Sequence, residues 1–255
     1  MLAELLELAP AGFEQVDGDG FVEFALYGAP GELPDLPPGA ARVGSTSVHV
    51  SSSRVGDDWA DRWREFHRPV QIGRLRVRPP WCEPLKDGID VVIDPAQAFG
   101  TGAHPTTRLS LELLLDVVAA PEASPPPLVD LGCGSGVLAI AAAKLGFAPV
   151  TALDHDPAAI DATLDNARAN GVTLERVERY DMRERPAPVA PVMTANLMRP
   201  LLLRVAELLP EQPETLIVSG LLEGEEEVVA TAFEPLRERR RRRLQGWSAL
   251  LLIRP

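Results

Sequence analysis

Gly132-Cys133-Gly134-Ser135-Gly136 follows a short apolar run, Leu128 to Leu131, and opens an Ala-rich stretch, Val137 to Leu145, that Gly146 can close. Glycines at a strand-to-helix turn let the backbone approach a ligand closely and aim free N–H groups at it. The spacing is G-x-G-x-G. A dinucleotide fingerprint wants its third glycine at position 137, which is Val here, and the GK[ST] ending of a P-loop is absent. Asp154 ends the next apolar run, Val150 to Leu153, 22 residues past Gly132, where a doubly wound fold presents an acid to ribose hydroxyls. Asp156, followed by Pro157, reads as a helix cap. Asp130 could anchor a ligand's amino group through water or satisfy the loop's own N–H groups, and residue type alone does not separate these roles.

Such residues need a sheet beneath them. From Leu75 onward, short apolar runs alternate with helical stretches: Val91 to Ile93, Thr107 to Val118, Leu128 to Leu131, Val137 to Leu145, Val150 to Leu153 and Pro157 to Asn170. Val192 to Ala195, Thr215 to Ser219 and Trp247 to Ile253 continue the strands. This alternation predicts an α/β fold with a doubly wound, mostly parallel sheet, whose ligands sit at the carboxyl ends of the strands. The chain is read as residues 1–54, a small N-terminal substrate-recognition domain of α+β type; 55–74, a connector helix and linker; and 75–255, the ligand-binding catalytic domain. In the first part, Leu2 to Leu8 reads as a helix, Asp17 to Gly20 as a turn, Phe21 to Tyr27 and Ser47 to Ser51 as strands, and Pro30 to Gly39 as a loop. Trp59, Trp63 and Phe66 share one helical face in the connector.

A hydrophobic fraction of 45% over 255 residues is enough for a substantial core. The formal net charge of -12 argues against nucleic-acid binding, which needs a basic footprint, and favours a cationic partner. Two distant cysteines, Cys82 and Cys133, offer neither a disulfide framework nor a zinc site, which fits the cytoplasm, and no metal is expected. The N-terminus has no basic leader region, and no apolar run approaches the roughly 18 residues of a spanning helix. The run Arg237 to Arg243 could touch RNA, but alternation before the last strand favours a solvated sheet edge.

A second block narrows the reading. DLGCGSG followed by LDHDP resembles the class I S-adenosylmethionine-dependent methyltransferases, and Asp94 to Thr107, DPxxAFGTGxHxTT, is similar to the PrmA family, the methyltransferases of large-subunit ribosomal protein eleven. WxxRWxxFHRPVxIG, ANL at Ala195 to Leu197, SGLL at Ser219 to Leu222 and the terminal GWSALLL resemble that family too. The resemblance implies a Rossmann-like domain, S-adenosyl-L-methionine as cofactor, and methylation of amino groups on lysines or the N-terminus of a ribosomal large-subunit protein. It implies cofactor contacts from Thr107, Gly132, Asp154 and Asn196, with Phe99, Gly100 and Thr101 covering the cofactor; Asp130 and Gly134 join them from the loop itself. Asn196 is also the candidate catalytic residue, since its carbonyls can orient an amine. The family's N-terminal domain is ferredoxin-like and starts with a strand, whereas this chain starts at a helix, so a truncated version is expected. A monomer is expected. His104 lies in a turn and is read as structural rather than as a general base. The alternatives are a methyltransferase of the same fold acting on another protein lysine or a small amine, and a non-catalytic cofactor-binding module.

Overall fold

The β-branched runs and the Ala- and Leu-rich helices between them assemble a seven-stranded sheet in the larger unit of the chain. The computed structural model describes residues 14–18, 21–25, 39–43, 46–51, 67–95, 102–118 and 126–255. The chain divides into two units, Met1–Arg64 and Glu65–Pro255, with the division inside the stretch expected to be the connector.

In the larger unit, β8 (Leu128–Leu131), β9 (Val150–Asp154), β10 (Arg176–Arg179), β11 (Val192–Asn196) and β12 (Thr215–Leu222) run parallel, while β14 (Trp247–Ile253) is antiparallel to β12 and to β13 (Arg237–Leu244). Their order is β10-β9-β8-β11-β12-β14-β13. The chain leaves β8 toward one edge and returns at β11 toward the other, so β8 and β11 flank the topological switch point, where a ligand crevice forms.

Among the described residues five helices cover the sheet: α1 (Pro105–Val118), α2 (Val137–Lys144), α3 (Pro157–Ala169), α4 (Arg199–Leu208) and α5 (Glu226–Ala232). Period-two alternation divides the strand side chains between two cores. Leu128, Val150, Val192 and Ile217 join α1 and α2 on one face; Val129, Leu153, Met193 and Leu216 join Leu202, Val205, Val229 and Phe233 on the other. Asp156 caps α3 by accepting from the Ala158 N–H at 2.9 Å, with Pro157 in the first turn, as its sequence predicts.

A small sheet, β5 (Val70–Ile72), β6 (Leu75–Arg78) and β7 (Ile89–Val92), packs Ile72, Leu75, Val77 and Val91 into the first of those cores. Its first strand lies within the stretch expected to be linker; three residues are too few to show a period in sequence.

The described part of the smaller unit comprises two antiparallel hairpins, β1 (Glu14–Gly18) with β2 (Phe21–Ala25) and β3 (Gly39–Val43) with β4 (Thr46–Val50). β2 and β4 fall on the expected strands, whereas β1 and β3 were not anticipated: β1 abuts the Asp-Gly turn, and β3 emerges from the Pro/Gly-rich stretch. The helix expected at Leu2 to Leu8 and the aromatic face of Trp59, Trp63 and Phe66 lie outside the described residues.

Candidate active site

Parallel strands end on the same side, so Gly132, Asp154 and Asn196 converge at the carboxyl edge of β8, β9 and β11. Asp154 is 8% exposed and holds the glycine loop directly, with Oδ2 accepting from the Gly134 N–H at 3.0 Å and Oδ1 from the Asp156 N–H at 3.1 Å. Oδ1 also lies 3.3 Å from His155 Nδ1, and Oδ2 keeps a second acceptor direction for a hydroxyl.

The loop itself corrects one expectation. The Gly132 and Cys133 N–H groups both donate to Leu153 O, at 2.8 and 3.0 Å, the Gly134 N–H to Asp154, and the Gly136 N–H to Cys133 O at 2.8 Å. These four amides are engaged within the protein, because the loop folds back onto the end of β9. The glycines therefore offer close approach rather than free donors. At Gly132, φ is +71° and a Cβ would lie 2.3 Å from Leu197 Cδ2, so Leu197 rests on the space a side chain would fill.

Leu197 is itself locked. Its N–H donates to Ser219 O at 3.0 Å, and its carbonyl lies 2.4 Å from where a Cβ on Gly220 would be. Asn196 stands opposite Ser219 in the register of β11 and β12 and is half-buried. Ser219 Oγ donates to Thr106 O at 3.0 Å, which ties the first turn of α1 to the same strand ends. The next residue, Thr107, is fully buried, and its Oγ1 has no hydrogen-bond partner.

Asp130 makes its protein contact across the sheet rather than in the loop. It shares a face of the sheet with Thr194, its register partner on β11, whose hydroxyl donates to Oδ1 at 2.6 Å. Its Oδ2 has no partner. Burial pushes the carboxyl up to about 7, against the downward pull of the Thr194 hydroxyl and the Ala139 backbone. Asp130 Oδ2 and Thr107 Oγ1 are two of six buried side-chain polar atoms without a partner among the described residues, and both are open to a polar ligand.

The His104 ring stands edge-on to Trp247 at 5.0 Å, Nδ1 lies 2.8 Å from Thr106 Oγ1, and burial lowers its pKa to about 4. Burial raises the Cys133 thiol far above its ordinary value, and its sulfur lies 3.3 Å from Thr163 Oγ1. Phe99, Gly100 and Thr101 lie outside the described residues. Sequence reasoning missed Thr194, Thr163 and Asn166. A mid-helix Asn, unfavourable in an exposed helix, was the available signal for the last of these.

A parallel sheet in this order, reversed at β14 and carrying a glycine loop after β8 and an acid after β9, defines a class I S-adenosylmethionine-dependent methyltransferase. Residues 39–254 match the family described as ribosomal protein L11 methyltransferase (PrmA), and the chain belongs to that family. It is 39% identical over 208 residues to the ribosomal protein L11 methyltransferase of Citrifermentans bemidjiense, covering 78% of this chain and 68% of that protein. To that of Edwardsiella ictaluri it is 42% identical over 199 residues, covering 75% and 66%. The chain thus spans about two thirds of the length of these relatives. A crystal structure of the ribosomal protein L11 methylase from Lactobacillus delbrueckii subsp. bulgaricus superposes with a TM-score of 0.64 at 27% identity, covering 73% of this chain and 98% of that one.

Proposed function

We propose that this chain transfers methyl groups from S-adenosyl-L-methionine to amino groups of ribosomal protein L11, on lysine side chains or the N-terminus. The observation that carries the reading is the unmatched buried oxygen of Asp130, two residues before a glycine loop held by Asp154. Thr107, Asp130, Gly132, Gly134, Asp154 and Asn196 would hold the cofactor, with Phe99, Gly100 and Thr101 over it: Asp154 at the ribose, Asp130 at the amino group, the glycines by close approach.

The cofactor supplies an electrophilic methyl group for in-line displacement, so the chain's task is to place a nucleophile and keep it neutral. A free lysine has a pKa near 10.4, and desolvation beside a cation lowers it. Asn196, half-buried at the switch point, orients the amine through its carbonyl oxygens. No general base is assigned: His104, with its pKa lowered to about 4, is a weak base held against Trp247. An overall charge of -12 favours approach of a basic protein.

Incubation of the purified chain with S-adenosyl-L-methionine and free ribosomal protein L11 should raise the intact mass of L11 by methyl increments. Asp154→Ala should abolish the gain. An unmodified L11 beside another methylated protein or small amine would replace the substrate. Tight cofactor binding with no methyl acceptor at all would mean a binding module.

A further inference from the structure

β7 lies at the end of the β5-β6-β7 order, and among the described residues no strand covers its other edge. A helix does so instead. Val92 N–H donates to Asn170 Oδ1 at 2.8 Å, and Asn170 Nδ2 donates to Val92 O at 2.6 Å, so one carboxamide replaces the peptide of a neighbouring strand. Two residues on, the Asp94 N–H donates to Asn166 Oδ1 at 3.0 Å. The spacings agree: two strand residues span about 6.6 Å and four helical residues rise about 6 Å.

Asn166 does more than cover an edge. Its Nδ2 donates to Ser135 O of the glycine loop at 2.9 Å, and the residue is 3% exposed. One turn earlier, Thr163 Oγ1 donates to Gly134 O at 3.0 Å. One carboxamide thus bridges two segments of opposite need, accepting from an amide just past β7 and donating to a loop carbonyl. Neither a carboxylate nor an apolar side chain of that size does both.

We propose that Asn166 is a positioning residue for the cofactor, acting through Ser135 and Asp94: it fixes the glycine loop against the end of β7, where the 94–107 block begins. This rests on the methyltransferase reading above. Asn170 touches the same strand and, through Nδ2, the Asn166 backbone carbonyl at 2.7 Å, but not the loop, so its replacement removes the strand contact while leaving the Asn166 carboxamide on Ser135.

The test compares wild type, Asn166→Ala, Asn166→Asp and Asn170→Ala by calorimetry with S-adenosylhomocysteine, by thermal melting, and by amide exchange at Asp94. Asn166→Ala should weaken cofactor binding roughly tenfold, a cost typical of lost support behind a binding residue. The loss should fall on the cofactor KM, with kcat changed far less. Asn170→Ala should lower the melting temperature comparably and leave the dissociation constant within about threefold of wild type. Asn166→Asp, which keeps the acceptor for Asp94 and loses the donor to Ser135, serves if the alanine variant fails to fold. It should weaken binding while the Asp94 amide stays protected. Wild-type affinity in either Asn166 variant overturns the inference, as does an equal loss in Asn170→Ala. A wild-type chain that binds no cofactor overturns the methyltransferase reading and this inference together.

Discussion

Asp130 sits between β8 and β11 with one oxygen bonded to Thr194 and the other unmatched by protein, so its proton is the group most sensitive to what enters the site. Its carboxyl is raised from 3.8 to about 7 in the folded chain. The folded state therefore keeps a proton that the unfolded state has already released. The stability this group confers is fully present below the unfolded value and declines as pH rises through about 4 to about 7. Asp130→Asn should remove that decline, so the stability of the variant relative to the parent, measured by urea unfolding, should rise by a few kcal/mol between about pH 4 and about pH 7. The same sign governs the ligand. A cationic amino group at Oδ2 favours the carboxylate, so S-adenosylhomocysteine should bind more tightly as pH rises through about 7. Calorimetry in buffers of different ionisation enthalpy should show proton release on binding, lost in Asp130→Asn; a pH-independent affinity would remove Asp130 from the ligand. Asp130, Gly132 and Asp154 were legible in sequence because residue type and distance from a strand end suffice to flag them. Thr194 was not, because its meaning is a register, and register belongs to two strands at once.

Gly132 and Gly220 approach the same residue from two strands, yet what each would strike differs. A Cβ on Gly132 meets the far end of the flexible Leu197 side chain, whereas one on Gly220 meets the Leu197 backbone, 2.4 Å from its carbonyl oxygen. Both also have positive φ, +71° and +85°, which costs an Ala about 1–2 kcal/mol. Gly132→Ala should therefore be partly rescued by Leu197→Ala in a double-mutant cycle, and Gly220→Ala should not, with melting temperature as the readout. The edge strand β13 carries a second contrast. Arg240 and Arg242 pair with Asp116 of α1, while Arg241 and Arg243 reach Glu226 of α5. Glu226 is buried; burial alone would raise its pKa, but hydrogen bonds from its own backbone, Ser248, Arg243 and the Gly224 N–H hold it down at about 2. Arg243→Ser should cost roughly 2–3 kcal/mol of stability by urea unfolding, because a buried carboxylate loses its partner. Arg239→Ser, on an exposed part of the strand, should change stability by less than about 0.5 kcal/mol. The arginine run was legible as a sheet edge from its alternation. Which arginines matter was not, since that depends on α1 and α5 lying on opposite faces of the sheet.

The larger unit contains every described contact that shapes the cofactor site. Asp154 holds the glycine loop, Asn166 ties that loop to Asp94, and Ser219 ties the start of α1 to β12, all within Glu65–Pro255. The sheet order was legible only as a class, because alternation of strands and helices announces a doubly wound fold but not where the chain reverses. The substrate-recognition role given to residues 1–54 rests on sequence resemblance, and a two-part chain allows it to be separated from cofactor binding. Expressed alone, Glu65–Pro255 should bind S-adenosylhomocysteine with an affinity within about threefold of the full chain, since no described residue of the site lies before Glu65. Its methylation of ribosomal protein L11 should fall much further, with the loss carried by the protein substrate's KM rather than by kcat, as expected when uniform binding alone is removed. Cofactor calorimetry beside intact-mass kinetics separates the outcomes. Equal methylation by the isolated unit would place L11 recognition within Glu65–Pro255. Loss of cofactor binding would mean that the smaller unit completes the site.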